Sequence, residues 1–495
     1  MKKRVLSNSI VAALCCGLLA GCGANAVDEP SVGGDWKTSR GYISEKFTHD
    51  GEVDTLVWVG NDGISIYLNQ DAQVEYQKIM FPYVTTDETK TTQTFATGDY
   101  NGDGYTDISV DLVNDAGESE TVQWIWSAEE SAFTVNGEVA DVSDDEDEKP
   151  EVYLKDVFGE HGLKVGTCLN TRMISNDIAS KRITDQFTSI TMENEMKPDY
   201  LFNKTASKEA GQLVVEFSDD AIKMLDWALA NNMAVRGHTL VWYSQTPSWI
   251  FYEDFDTTKS LVSEAVMIDR MESYIKQVFE LLDEKGYLDI IYAYDVVNEA
   301  WMEDGSIREE NNYWYKTMGE DFLYYAFYFA DMYAPESVDL YYNDYNEQFK
   351  ANTLVSFVET LKDENGRYLI DGVGLQAHLY TSDDLSTYFN AMDTIAATGL
   401  KIQLTELDVS LGAWQNTLPP TEENLQKQGR FYYNLINGIF ERVDNGTISC
   451  DALTFWGYVD SMSWRSSAYP LLFDSVYQPK YAFYGAAQLK EYAGF

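Results

Sequence analysis

The sequence predicts an α/β protein in which a (β/α)8 barrel follows a smaller N-terminal all-β domain. Three observations predict this. From residue 151 onward, short apolar runs alternate with helical stretches such as AIKMLDWALANN and MESYIKQVFELLDEKG, and eight of the runs fit strands. Strands that alternate with helices build parallel sheets, and eight β/α units close such a sheet into a barrel. Nearly every run ends on polar residues, at the end of the strand where such barrels keep their active sites. Residues 36–140 instead hold short alternating stretches broken by turn signals.

A chain of 495 residues, 45% hydrophobic and 14% aromatic, has material for two or three domains and a large core. Its 81 acidic against 35 basic residues give a formal charge of −46. That charge repels phosphate backbones and anionic headgroups, which argues against nucleic acid as a partner. A neutral polymer is not repelled.

The N-terminus, MKKRVLSNSIVAALCCGLLAGC, has a basic region, a short apolar region and small residues before a cysteine, the pattern of a secretory signal. LLAGC resembles the lipobox of bacterial lipoproteins. On that resemblance residues 1–21 are removed, and Cys22 becomes a lipidated N-terminus that anchors an exported protein at the bacterial cell surface. A signal cleaved elsewhere is the alternative. Residues 22–35 and the charge run at 141–150 read as linkers around the β-rich module at 36–140, and residues 151–495 form the barrel. Cys168, late in the first barrel strand, and Cys450, ahead of the eighth, lie at opposite ends of neighbouring strands, so two free, buried thiols are expected.

Within the module TLVWV, GISIYLN, ISVDL and TVQWIWS read as strands. DGEVDTLVWV at 50–59 is echoed by DGYTDISVDL at 103–112, an offset of 53 that indicates a duplicated β unit. In DYNGDGYTD, the oxygens of Asp99, Asn101, Asp103 and Asp107 could surround a Ca²⁺ ion, and the segment resembles the calcium loops of integrin-type and other β-propeller repeats. A hydrated turn is the alternative. Trp36, Trp58, Trp124 and Trp126 read as core residues before sugar-stacking ones.

The barrel runs are LKVGTCLN, SITMEN, AVRGHTLVW, IYAYDVVNE, DLYYNDYN, GVGLQAHL, IQLTELD and ALTFWGYVD. From the second onward, their ends bring Glu193 and Asn194; His238 and Trp242; Asn298 and Glu299; Asn343 and Asp344; Gln376 and His378; Glu406 and Asp408; and Trp456 and Asp460. A merely solvated face needs no tryptophan, histidine or asparagine at strand ends.

TMENEMKP, RGHTLVWYSQTPSW, YDVVNEAW, YYNDYN, GVGLQAHL, LTELDVS and FWGYVDSMSWR, followed by PLLFD, resemble in order and spacing the motifs of glycoside hydrolase family 10, the retaining endo-β-1,4-xylanases. The resemblance covers residues 151–495 and implies hydrolysis of xylan and xylo-oligosaccharides by a monomer without a catalytic cofactor. It makes Glu299 the acid/base and Glu406 the nucleophile. Such a pair, about 5.5 Å apart, cleaves a glycosidic bond with retention of configuration. The anion on Glu406 is expected to help keep the proton on Glu299. Asn298 then bonds the sugar 2-hydroxyl, and His378 and Asp408, with Gln376 nearby, support the nucleophile. Glu193, Asn194, Lys197, His238 and Gln245 correspond to positions that bind sugar hydroxyls on the non-reducing side. Trp242, Trp456 and Trp464 correspond to aromatic walls with no room for the hydroxymethyl of glucose. Tyr243 and Tyr294 depart from the family's usual histidine and tryptophan. A retaining β-1,4-glucanase and a non-catalytic glycan-binding surface lipoprotein are the other readings.

Overall fold

The computed structural model describes residues 150–495 except 176, 475 and 476, together with the strands and a few adjoining residues between 41 and 135. The signal, Cys22, both linkers apart from Pro150, Trp36, and Asp99, Asn101 and Asp103 lie outside the described residues.

The barrel strands are β1 (Lys164–Leu169), β2 (Ser189–Met192), β3 (Ala234–Trp242), β4 (Ile291–Asn298), β5 (Asp339–Asp344), β6 (Gly372–Leu375), β7 (Lys401–Ser410) and β8 (Ala452–Phe455). Each pairs in parallel with its neighbours, and β8 pairs back onto β1, which closes the sheet. All eight predicted strands are therefore present in their predicted order. They read as nearly continuous apolar runs because a barrel strand is buried on both faces. A short strand, His378–Tyr380, extends the line of β6 and sets His378 opposite Asp408 on β7.

Helices cover the outside. Glu264–Glu284 starts at Ser263, whose hydroxyl accepts from the Val266 N–H, and buries Met267, Met271, Tyr274, Ile275, Val278, Phe279 and Leu282 along one stripe. That spacing of three and four residues makes one helical face apolar.

The barrel interior holds one charged pair below the site. Arg236 is fully buried, donates through both Nε and a terminal nitrogen to Asp295, donates also to Gln403, and lies 4.5 Å from the centre of the Tyr341 ring. Removing one partner of such a pair leaves a buried charge uncompensated, at about 3–5 kcal/mol.

Ahead of the barrel are two four-stranded antiparallel sheets. The first comprises Gly41–Glu45, Asp54–Val59, Gly63–Tyr67 and Glu75–Met80. The second comprises Phe95–Gly98, Asp107–Val113, Ser119–Ser127 and Ala132–Val135. Asp54 and Asp107, matched by the sequence echo, each open the second strand of their sheet. Trp124 and Trp126 are buried, the latter edge-on to Phe133 at 5.1 Å. The sequence pattern found the two central strands of each sheet and passed over the outer ones. Cys168 and Cys450 are free, but only Cys168 is buried; Cys450 is part-exposed, with its thiol 3.3 Å from the Ala452 carbonyl.

Tyr294, the departure on β4, packs edge-on to Phe279 at 5.5 Å and lies directly over Gly237, where an added Cβ would come within 2.4 Å of the ring. Gly237→Ala should therefore lower stability by about 1–3 kcal/mol through overpacking, seen as an earlier denaturant midpoint at unchanged slope.

Candidate active site

Glu299 is the first residue past β4 and adopts a left-handed backbone, φ 57°. Two hydrogen bonds hold it there. Its N–H donates to the Asn343 carbonyl at 2.9 Å, and its own carbonyl accepts from Arg308 Nε at 3.1 Å. The carboxyl group accepts from Trp242 Nε1 at 3.1 Å, Gln376 Nε2 at 2.9 Å and Asn298 Nδ2 at 3.3 Å. Its pKa is raised. Burial is the largest cause, the charges of Asp344 and Glu406 add to it, and the Gln376 and Trp242 hydrogen bonds work against it. Coupling to Glu406, the cause expected from the sequence, thus contributes less than burial.

Glu406 lies inside the mouth on β7. Its Oε1 accepts from Asn343 Nδ2 at 2.8 Å, and its Oε2 is 3.2 Å from His378 Nε2. Burial would push its pKa up, but the His378 hydrogen bond, the charges of His238 and His378 and the Asn343 amide outweigh burial, and the pKa falls below the ordinary value. The same Asn343 amide nitrogen donates to Asn298 Oδ1 at 2.9 Å. One side chain therefore ties the β4 end to the β7 carboxylate.

His378 is held from its other side, with Nδ1 2.9 Å from Asp408. Asp408 is fully buried and also accepts from Trp464 Nε1 and Arg465, each at 3.0 Å. Burial alone would lower the imidazole pKa, but the Asp408 and Glu406 charges and hydrogen bonds prevail and raise it to about 9. His238 sits on the Arg236–Asp295 pair, with Nδ1 2.9 Å from Asp295.

The remaining predicted residues form two further groups. Lys197 donates to Gln245 at 2.9 Å and to Asn194 at 3.3 Å, Gln245 donates to Asn194 at 3.1 Å, and the Lys197 ammonium stands 5.1 Å from the Trp242 ring. Glu193 accepts from Asn170 at 3.2 Å. Trp456 is buried edge-on to His238 at 5.5 Å, and Trp464, 58% exposed, stands edge-on to His378 at 4.9 Å. Tyr243 packs under the Arg308 guanidinium at 4.2 Å, and Arg308 donates to the Tyr345 hydroxyl at 2.9 Å.

Two strand-end residues turn out to be structural. Asp344 is a buried partner of Lys350 at 2.7 Å, and Asp460 is a buried partner of Lys480 at 2.7 Å. Asn170 and Arg465 end segments the sequence reading used, LKVGTCLN and FWGYVDSMSWR, without being singled out as site residues, and Arg308 lies on a loop without local periodicity. The Arg236–Asp295 pair left a signal: charged residues inside apolar strand runs need each other.

In the β-rich module Asp107 is buried and accepts from the backbone N–H groups of Tyr100 and Trp126 at 2.9 and 2.8 Å. Among the described residues no group of three or more His, Cys, Asp or Glu side chains could hold a metal ion.

The model of the glycosyl hydrolase family 10 matches residues 153–489. The chain belongs to this family. It is 38% identical over 311 residues to a putative endo-1,4-β-xylanase of Caldicellulosiruptor saccharolyticus, covering 59% of this chain and 96% of that one. It is 36% identical over 336 residues to the bifunctional endo-1,4-β-xylanase XylA of Ruminococcus flavefaciens, covering 67% of this chain, and it spans only 33% of that protein's length. Among solved structures, the CBM22-1–GH10 modules of Clostridium thermocellum Xyn10B, complexed with xylohexaose, match at 27% identity and a TM-score of 0.62, over 90% of this chain and 81% of that one. That coverage exceeds what residues 151–495 make up by themselves.

Within this family-10 site, the proton that His378 holds in the folded state stabilises the fold fully below its unfolded pKa of about 6.5 and ceases to do so as pH rises through its folded value of about 9. Unfolding free energy measured from pH 6 to 10 should fall by something on the order of 3 kcal/mol from this group, and His378→Gln should flatten that slope.

Proposed function

We propose that the chain is a retaining endo-β-1,4-xylanase. The observation that carries this reading is a pair of carboxyl groups in one barrel mouth whose environments push their pKa values in opposite directions, Glu299 up and Glu406 down. Glu406 attacks the anomeric carbon while Glu299 protonates the leaving oxygen. Esterification removes the Glu406 charge, one of the causes that raise Glu299, so Glu299 then ionises more readily and deprotonates the water that releases the sugar. Asn298, aligned by Asn343 and Gln376, meets the 2-hydroxyl of the sugar at the cleavage point. Glu193, Asn194, Lys197, His238 and Gln245 bind hydroxyls on the non-reducing side, and Trp242, Trp456 and Trp464 wall the cleaved sugar. The relatives' activity and the xylohexaose complex of the C. thermocellum modules support xylan as substrate.

The proposal extends to the rest of the chain. Residues 1–21 act as the signal and Cys22 as the lipid anchor, so a monomeric enzyme works at the cell surface. The linkers at 22–35 and 141–150 flank the module at 36–140, whose loop from Asp99 to Asp107 takes structural Ca²⁺. Globomycin treatment of expressing cells, or Cys22→Ala, should shift the protein from the membrane to the soluble fraction.

Protein starting after Cys22 should release reducing sugar from xylan faster than from carboxymethylcellulose, with the β-anomer forming first. Glu406→Ala should abolish that release. Glu299→Ala should cut kcat/KM on xylan by roughly 10²–10⁴-fold while sparing kcat/KM on aryl xylobiosides whose leaving group needs no proton, although their kcat falls because the second step loses its base. Equal loss on both substrates would remove Glu299 from the acid role.

A further inference from the structure

Outside the barrel, two neighbouring helices leave a gap. Asp321–Tyr333 packs on Glu264–Glu284, and Glu347–Val358 packs on Leu385–Ala396. Between these pairs lies a cleft of about 630 Å³, with Trp301 and Phe357 at its base, Tyr324 on one wall and Asn352, Thr353 and Ser356 on the other. We infer that this cleft is a second saccharide site, which holds a β-1,4-linked xylan segment away from the catalytic carboxyl groups; the inference rests on the xylanase reading.

The two walls have different chemistry. Along Asp321–Tyr333, Tyr324, Tyr328 and Met332 recur at intervals of four and so share one stripe, and the first two rings stack at 5.9 Å with planes 16° apart. Tyr328 is 37% and Met332 48% exposed, so this stripe continues over the surface and not into the core. Along Glu347–Val358, Asn352, Thr353 and Ser356 share one face past the kink at Lys350, and Phe349, just before that kink, is 65% exposed. The Asn352 amide and Thr353 hydroxyl have no hydrogen-bond partner among the described residues. One wall thus offers rings to the C–H faces of a sugar, and the other offers donors and acceptors to its hydroxyls.

Charge narrows the choice of occupant. Glu320 and Asp321 line the cleft and no cationic side chain does, so it disfavours anions while its carboxylates can accept from hydroxyls. A second copy of the chain would bring another formal −46 to an acidic rim. A purely apolar partner would leave the Asn352 amide and the Thr353 hydroxyl unpaired. A neutral polyhydroxylated chain satisfies both walls. The base of the cleft is also tied to the catalytic loop, because Trp301 follows Glu299 by two residues and its carbonyl accepts from Lys350 at 2.8 Å.

The test uses the full chain after Cys22 in the Glu406→Ala background, partitioned on insoluble xylan, with the same variants made in active protein and assayed on soluble xylotetraose. Tyr324→Ala/Tyr328→Ala and, independently, Asn352→Ala/Ser356→Ala should each lower the partition coefficient about threefold or more while kcat/KM on xylotetraose stays within about twofold, which also shows that the variants are folded. Unchanged partition in both variants overturns the site. Self-association of the parent in sedimentation that is lost in the variants also overturns it, by making the cleft an interface between copies. A parent that leaves xylotetraose uncut overturns the xylanase reading, and the cleft assignment with it.

Discussion

Two carboxyl groups that share one water-poor mouth repel each other when both are ionised, and the site is organised around keeping them different. Glu406 receives an amide proton and an imidazolium, whereas the neutral Trp242, Gln376 and Asn298 donors reach Glu299. The neutral donors at Glu299 do not overcome burial, whereas at Glu406 the His378 hydrogen bond, the His238 and His378 charges and the Asn343 amide together do. The asymmetry is then propagated outward. His378 stays protonated because Asp408 lies behind it, and Asp408 is in turn neutralised by Arg465 and fixed by Trp464.

The barrel makes this arrangement affordable by spreading it over many strands. Glu299 leaves β4, Asn343 sits on β5, Gln376 follows β6, and Glu406 and Asp408 are on β7, so no single segment has to present all the polar groups. Beneath them the Arg236–Asp295 pair anchors His238, and the interior there is filled with side chains throughout, as a barrel of this size requires. A rigid floor limits how far a mouth residue can drift.

Most of the barrel, and the gathering of the candidate residues at its mouth, were legible because the information is local to each strand end. The apolar run reports burial on both sides, and the polar residue after it reports the face of the barrel. What could not be read was direction. Asp344 and Asp460 stand at strand ends just as Glu299 and Glu406 do, yet each is drawn to a lysine later in the chain, Lys350 or Lys480, and no spacing rule separates them from those two glutamates. Arg308 is a clearer case, since its stack on Tyr243 and its bond to the Glu299 carbonyl join residues from different loops. In the β-rich module the outer strands of the second sheet, four residues each, were missed because so short a strand carries little alternation, and those of the first sheet, GYISE and EYQKIM, lack the run of apolar residues that marks their neighbours.

The amide network also fixes a polarity. Asn298 Oδ1 accepts from both Asn343 and Gln376, so the Asn298 side chain cannot rotate end for end without facing donors with a donor. Its NH2 group is therefore turned toward Glu299, to which it donates one proton. The amide thus meets Glu299 with a donor and its two amide neighbours with an acceptor, and its orientation is set by the surrounding strands before any ligand arrives.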